Sequence, residues 1–578
     1  MKGETIIQRR PATAIPDTYP ADLHPVLARV YAARNVTSAE QLQHGLALLP
    51  PHTELKGIEA AVALLIDALQ QKLRILIIGD FDADGATSTA LAVRALRAMG
   101  AAHVDFLVPN RFEYGYGLTP EIVAVAAQRQ PDLIVTVDNG IASMHGVEAA
   151  HASGIKVLVT DHHLPAAQLP AAEAIVNPNQ PGDRYPSKNL AGVGVIFYVM
   201  LALRAALRER GWFTAERPEP NLAQLLDLVA LGTVADVVVL DHTNRILVAQ
   251  GLARLRSGQA CAGIRALLEI AGRQAARIVS ADLGFAVGPR LNAAGRMADM
   301  ALGIRCLLSD DEAEARELAQ QLDRFNRERR ATEDEMHNDA LLTLQAIIDA
   351  ESSALPYGLC LYDPAWHQGV IGILASRLKE RLHRPVIIFT DSGDEEIKGS
   401  ARSVSGVHIR DALDAIAARH PGLLSKFGGH AMAAGMTLRR SDLEQFSSAF
   451  DEEVRRHLSP EDLRGVVLSD GELVAEEIDL ALAETLRQAV PWGQGFPEPL
   501  FDGEFEVEQQ RVVGERHLKL KLRWPGTRRL IDAIAFHADL EKWPEQVRRV
   551  LAAYRLDVNE YRGERTVQLI VEHLTPLS

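Results

Sequence analysis

Residues 74–85 read Arg-Ile-Leu-Ile-Ile-Gly-Asp-Phe-Asp-Ala-Asp-Gly, and the fold class follows from how this stretch is built. Ile75, Leu76, Ile77 and Ile78 are apolar without alternation, the mark of a strand covered on both faces, as in a parallel sheet. Gly79 ends the run, and Asp80, Asp82, Asp84 and Gly85 follow at once. Carboxylates this close repel one another unless cations lie between them. A divalent-metal site is therefore the leading reading. An EF-hand loop also opens D-x-D-x-D-G, but it needs a preceding helix and a bidentate Glu at position twelve. Here a strand precedes, and position twelve is Leu91. Capping of the helix that starts near Ala86 accounts for one aspartate well and for three badly.

Outward from this stretch, strands and helices alternate from about 55 to 240. Apolar runs at 74–79, 103–108, 132–137, 155–160 and 173–176 predict strands, and amphipathic patterns at 58–71, 87–99, 119–128 and 143–153 predict helices. Such a series folds as α/β, a doubly wound parallel sheet, with ligands at the C-terminal ends of its strands. Two further strands end in polar residues of the same kind. The run 132–137 leads into Asp138-Asn139-Gly140, and 155–160 leads into Asp161-His162-His163. Asp236 follows an apolar helical stretch at 222–231; alone it reads as a helix cap, and in this company as a ligand. Aspartate and histidine ligands without cysteine suit Mn²⁺ or Mg²⁺ better than structural zinc. Asp138 is placed to bridge two ions, and two ions about 4 Å apart are the usual apparatus for in-line attack of water on a phosphodiester. His162 fits as a ligand, His163 as proton donor or phosphate contact, and Asp161 as the group that orients it.

With 578 residues the chain needs several cores. Hydrophobic content of 47% and charged content of 24% are ordinary for a soluble globular protein. Cys261, Cys306 and Cys360 are far apart, which excludes a disulfide framework and a cysteine-rich zinc site and suits a reducing cytoplasm. No apolar run has the length of a signal peptide or membrane span, so no membrane role is expected. The net charge of −15 argues mildly against a nucleic-acid partner for the chain as a whole, but part of that charge is the metal cluster. Residues 1–50, with Pro11, Pro16, Pro20 and Pro25 and an amphipathic stretch at Ala39–Leu49, form a small segment without chemistry. No Gly or Pro lies between Ile304 and Leu355, and Asp311–Ala350 carries apolar residues at helical spacing, which predicts a long connecting helix. A second α/β unit follows at about 355–455. From 500 to 574 short alternating strands predict a small β barrel. In His517-Leu-Lys-Leu-Lys-Leu-Arg-Trp524 the alternation puts His517, Lys519, Lys521 and Arg523 on one face, with Arg516 beside them. A basic barrel face of this sort is a single-strand platform, although lysines that merely face water give the same pattern.

Asp80-Phe-Asp-Ala-Asp-Gly-Ala-Thr87, Val137-Asp-Asn-Gly140, Asp161-His-His163 and Gly232-Thr-Val-Ala-Asp-Val237 resemble, in order, the four motifs of the DHH phosphoesterases. Trp366-His-Gln-Gly-Val-Ile-Gly372, Gly399-Ser-Ala-Arg-Ser403 and Phe427-Gly-Gly-His430 are similar to the family's associated C-terminal domain. With Pro289-Arg-Leu-Asn-Ala-Ala-Gly-Arg296 the pattern looks like the family's bacterial single-strand-specific exonucleases. The resemblance implies an N-terminal segment (1–50), a DHH catalytic domain (51–310), a connecting helix (311–352), a DHH-associated domain (353–458) and an OB-like DNA-binding barrel (459–578). It implies 5′→3′ hydrolysis of single-stranded DNA to mononucleotides, in recombination and repair, with two Mn²⁺ or Mg²⁺ ions. Asp80, Asp82, Asp84, Asp138, His162, His163 and Asp236 fall at the metal-site positions; whether Asp80 ligates directly stays open. Arg111, Arg290 or Arg296, Ser400, Arg402 and His430 fall where the family holds DNA phosphates, with Ser400 and Arg402 on the 5′-terminal one and Asn292 as a further candidate. Single-strand-binding protein and a RecQ-type helicase are the implied partners of a monomer. The rivals are a small-nucleotide phosphodiesterase or phosphatase of the same family and a non-catalytic single-strand-binding scaffold.

Overall fold

The computed structural model describes residues 5–109, 117–351, 355–393, 395–514, 516–538, 540, 543–544, 546–561 and 563–577. The chain forms two compact units. One comprises Ala14–Asn326 with Leu486–Glu498; the other comprises Met1–Thr13, Arg327–Thr485 and Pro499–Ser578. Residues 1–50, read from the sequence as one segment, are thus divided between the two.

In the first unit, β1 (Arg74–Ile78), β2 (His103–Leu107), β3 (Leu133–Val137), β4 (Lys156–Thr160) and β5 (Ala174–Val176) form a parallel sheet in the order β2-β1-β3-β4-β5. All five residues of β3 are buried, which is why its side chains do not alternate in polarity. On one face Leu76, Ile78, Ile134, Val157 and Val159 pack against Ile122, Val123, Val147 and Ala150 of the crossover helices Pro120–Ala127 and Met144–Ala152. Each such side chain contributes about 1.5–3 kcal/mol on leaving water. Helix α1 (Ala83–Ala98) follows β1 and packs against α2 (Gly192–Glu209) and α3 (Leu226–Ala235). It begins four residues before the predicted 87, because Asp82 Oδ1 accepts from Gly85 N at 2.9 Å and caps its first turn. A π-helical turn (Leu283–Val287) leads into α4 (Gly288–Met297). The amphipathic stretch at 39–49 forms two 3₁₀ turns, Glu40–Leu42 and Leu46–Leu48, on either side of Gly45.

The predicted connecting helix is α5 (Glu312–Glu351), and the division between the units falls inside it. In the second unit, β6 (Leu359–Tyr362), β7 (Val386–Asp391), β8 (Glu396–Arg402), β9 (Lys426–Gly429) and β10 (Ala433–Arg439) form a mixed sheet in the order β9-β10-β8-β7-β6, with α6 (Ile371–Leu382) against β7 and β8. Strands β11 (Phe501–Val513), β12 (His517–Arg523), β13 (Leu530–Ala535), β14 (Arg549–Tyr561) and β15 (Glu564–Leu577) close into a barrel. In β12 Leu518, Leu520 and Leu522 are buried and His517, Lys519, Lys521 and Arg523 half-buried, as the alternation predicts. The N-terminal strand Thr5–Arg9 pairs in parallel with Gly465–Ser469, and Arg9 Nε donates to buried Asp502 at 3.0 Å. Among the described residues no helix is long and apolar enough to cross a membrane.

Candidate metal centre

Strand order reverses direction between β1 and β3, and in doubly wound sheets ligands bind at such a reversal, beyond the strands' C-terminal ends. Asp80, Asp82 and Asp84 leave β1, Asp138 leaves β3, and Asp161-His162-His163 leave β4. The turn after β3 is strained: Asp138 has φ +63°, a left-handed conformation that a non-glycine residue holds only when its surroundings enforce it. Asn139 enforces it, donating to Ile78 O at 3.1 Å and Val137 O at 2.9 Å and so tying the ends of β1 and β3 together.

His162 Nε2 lies 3.1 Å from Asp138 Oδ1, 3.5 Å from Asp236 Oδ2 and 4.0 Å from Asp84 Oδ2. Three overlapping sets, Asp138–His162–His163, Asp84–His162–Asp236 and Asp80–Asp82–Asp138, each bring their ligand atoms within 4.8 Å of one another. Asp138 and His162 each belong to two sets, which fits two neighbouring ions sharing a bridging carboxylate. Asp84, Asp138 and Asp80 are buried. Burial first, and then repulsion from Asp82, raises the Asp84 carboxyl to about 7, despite hydrogen bonds from the Val193 and Gly192 amides at 2.9 and 2.6 Å. Burial and the neighbouring aspartates push Asp138 and Asp236 well above the ordinary carboxylate range. Charges buried in this way call for cations, and an oxygen-and-imidazole donor set without thiolate fits Mn²⁺ or Mg²⁺. Two glycines let backbone press against Asp138 and Asp84. A Cβ on Gly192 would lie 2.6 Å from Asp138 Cβ, and one on Gly232 would lie 2.8 Å from Asp84 Oδ1.

Asp161 is 1% exposed and turns away from this cluster to collect donors. Its Oδ1 accepts from His162 N at 2.7 Å and His163 N at 3.1 Å and lies 2.7 Å from His163 Nδ1; its Oδ2 accepts from Ile141 N at 2.9 Å. Burial alone would lower His163, but the Asp161 bond and charge outweigh it, with Asp80 and Asp82 helping, and raise His163 to about 9. Asp161 is held below the ordinary range by the same contact, its burial being outweighed. The pair is an imidazolium–carboxylate at neutral pH.

In the second unit, Ser400 and Arg402 project from β8 towards the first turn of α6. A Cβ on Gly372 there would lie 3.0 Å from both Ser400 Oγ and Arg402 Nη2. Arg402 Nη1 donates to Ala401 O at 2.8 Å, and burial lowers its pKa. A guanidinium, a hydroxyl and a helix N-terminus together suit a phosphate. His430 is exposed after Gly429, whose φ of +152° excludes a side chain that would meet Ala433 O at 2.4 Å.

The other candidates divide. Arg111 lies outside the described residues. Arg290 is engaged internally: its Nε donates to Asp323 at 2.9 Å and its Nη1 to Ala286 O at 2.6 Å. Asn292 accepts from Ala83 N at 2.7 Å and thereby anchors the aspartate loop, while Arg296, on the same helix, is half-buried. Arg516 is exposed, and Lys519 and Lys521 are half-buried on the barrel. The sequence reading missed Gly192 and Val193, as well as Asn177 and Asn179, which donate to the carbonyls of His163 at 2.9 Å and His162 at 2.6 Å. Asn177-Pro178-Asn179 directly follows β5, so a fourth polar strand end was the available signal.

Residues 74–233 match the DHH family, N-terminal domain; residues 355–456 match the DHHA1 domain; and residues 469–573 match the RecJ OB domain. The chain is 56% identical over 582 residues to the single-stranded-DNA-specific exonuclease RecJ of Dickeya dadantii, covering 100% of both chains. It is similar to the crystal structure of RecJ in complex with Mn²⁺ from Thermus thermophilus, at a TM-score of 0.80 and 31% identity, covering 100% of this chain and 80% of that one. The Mg²⁺ complex of the Thermus protein matches at a TM-score of 0.74 and 29% identity, covering 100% of this chain and 79% of that one.

Proposed function

The chain belongs to the RecJ family of single-stranded-DNA-specific exonucleases, and on that premise we propose that it removes nucleotides one at a time from the 5′ end of single-stranded DNA. The observation that carries this reading is the convergence of Asp80, Asp82, Asp84, Asp138, His162 and Asp236 at one edge of the parallel sheet. These residues hold two Mn²⁺ or Mg²⁺ ions, which when bound lower the pKa of a water and offset charge developing at phosphorus. The water oxygen bonds to the phosphorus of the second nucleotide, and the bond from that phosphorus to the 3′ oxygen of the first breaks. His163, kept cationic by Asp161, gives its proton to that 3′ oxygen; Asp161 is a positioning residue. A 5′-mononucleotide leaves, and the strand keeps a new 5′ phosphate.

Ser400 and Arg402 take the terminal 5′ phosphate, with His430, Arg296 and Arg111 as further phosphate contacts. Arg516, Lys519 and Lys521 track the strand through its backbone, so binding weakens as salt rises. The chain works in the cytoplasm, in recombination and repair, as a monomer alongside single-strand-binding protein and a RecQ-type helicase. Cys261, Cys306 and Cys360 form no disulfide, which supports a reducing compartment. A small-nucleotide phosphodiesterase would need no separate barrel, and a non-catalytic scaffold would not need the full ligand set. Release of mononucleotides from 5′-phosphorylated oligonucleotides, compared with hydrolysis of a dinucleotide, separates these readings. Asp138→Ala should abolish release in Mn²⁺ or Mg²⁺ while single-strand binding survives. Hydrolysis at the parent rate in that variant would refute the metal assignment.

A further inference from the structure

The second unit contains a cavity of about 780 Å³ between the middle of α5, the C-terminal half of α6 and one lip of the barrel. Its charged lining is Arg330 and His337 from α5, Arg377 and Arg381 from α6, and Arg516 and His537 from the barrel, against one carboxylate, Asp334. Arg377 is engaged, its Nε bonding Glu333 at 2.5 Å and its Nη1 Asp334 at 3.2 Å. Even so, four guanidiniums face one lining aspartate, and the balance is cationic. His337 registers the field: burial first, then Arg381, Arg377 and Arg516, against the opposing pull of Asp334, hold it below the ordinary imidazole range.

The barrel lip adds an aromatic. Phe536 is 51% exposed, its ring edge-on to His517 at 5.2 Å, and Ala538 N donates to Arg516 O at 3.0 Å to bring the two loops together. Cations beside an exposed ring answer both parts of a nucleotide chain, phosphate and base. The basic residues continue along β12 as Lys519 and Lys521; Arg516 to Lys521 covers about 17 Å of strand. At the other end, α6 links the cavity to the Ser400–Arg402 pair. Gly372 abuts that pair, and Arg381 lies nine residues further along the same helix, about 14 Å at 1.5 Å per residue.

We propose that this cavity is a second phosphate seat for single-stranded DNA, holding internal phosphodiesters of a strand whose 5′ phosphate rests on Ser400 and Arg402. The identity of the strand rests on the exonuclease reading; the cationic seat does not. Arg330 is exposed on α5, so Arg330→Ala removes one cation without disturbing a core. The experiment is fluorescence anisotropy of 5′-phosphorylated, 3′-labelled dT20 and dT2 on the full chain in EDTA, between 50 and 200 mM NaCl. Each phosphate contact contributes about 0.7 to the single-strand salt slope. Arg330→Ala should lower the dT20 slope by about that amount and weaken dT20 several-fold, leave dT2, too short to reach the cavity from Ser400 and Arg402, within two-fold, and be largely rescued by Arg330→Lys. Unchanged dT20 affinity and slope would overturn the proposal, as would equal weakening of dT2 and dT20. Calorimetric titration of dTMP and inorganic phosphate that loses binding in Arg330→Ala, with dT20 unaffected, would also overturn it, in favour of a small-anion site. Mononucleotide release in Mn²⁺ is scored separately. No release with Arg330-dependent dT20 binding sinks the nuclease reading alone; release with Arg330-independent binding sinks the seat alone.

Discussion

Asp161→Asn tests His163 as the proposed proton donor, because the hydrogen bond between Asp161 and the His163 ring is what raises that imidazole most. Four N–H groups meet the two oxygens of Asp161: the amides of His162, His163 and Ile141, and His163 Nδ1. The asparagine keeps the volume, loses the charge and offers one acceptor oxygen where two stood. One buried donor left unmatched costs about 1–3 kcal/mol of stability, measurable by thermal unfolding. The larger effect is on His163. Asp161 is the principal reason its imidazole is raised to about 9; without that partner, burial opposes only Asp80 and Asp82 and draws it down towards its ordinary 6.5. At pH 8 a group of pKa 9 is about 90% protonated and one of pKa 6.5 about 3%, roughly a thirty-fold loss of the acid form. The assay is kcat/KM for mononucleotide release from 5′-phosphorylated single strands in Mn²⁺ between pH 6 and 10. The alkaline limb should move down by up to about two and a half pH units, with the acid limb in place. A uniform loss of rate with the limb unmoved would mean that His163 is not the acid and that Asp161 only supports the loop.

Gly192→Ala should reduce hydrolysis at least ten-fold while leaving single-strand binding near the parent's, since the new methyl would stand 2.6 Å from Asp138 Cβ and 2.8 Å from its Oδ1. Parent-level turnover in that variant would mean that Asp138 tolerates displacement. The acid cluster also predicts a pH signature in the metal-free protein. Folded Asp84 keeps its proton to about pH 7, whereas the unfolded chain loses it near 3.8, so the native state carries the extra proton between these values. Stability then falls as pH rises through that window, with Asp138 and Asp236 acting in the same sense. Ions displace those protons, so the rise in unfolding temperature on adding Mn²⁺ should be larger at pH 8 than at pH 6; an equal rise at both would place the ion elsewhere.

The cluster of acids and histidines was legible because each of its motifs is local. A buried parallel strand has no room for polar alternation, so its end is visible where Asp80, Asp138 or Asp161 abruptly follows an apolar run. The long helix was equally visible, since 40 residues without Gly or Pro leave few alternatives. What escaped depends on partners distant in sequence. Arg290 reads as a phosphate contact until Asp323, 33 residues on, takes its guanidinium. Thr5–Arg9 has no neighbour to suggest a strand until Gly465–Ser469 pairs with it. Gly192 and Val193 bring a helix N-terminus to Asp84 from 108 and 109 residues away. Of these contacts, the two amides on Asp84 bear on the site directly. Asp84 would not hold a fixed orientation among like charges without the two amides, and the aspartate loop would not hold its turn without Asn292 beneath Ala83. The sequence motifs name the clustered acids and histidines, but the remote glycines, amides and asparagines fix where those side chains point. Substitutions at Gly192 or Asn292, outside the four ligand-bearing motifs, should therefore damage catalysis through ligand geometry.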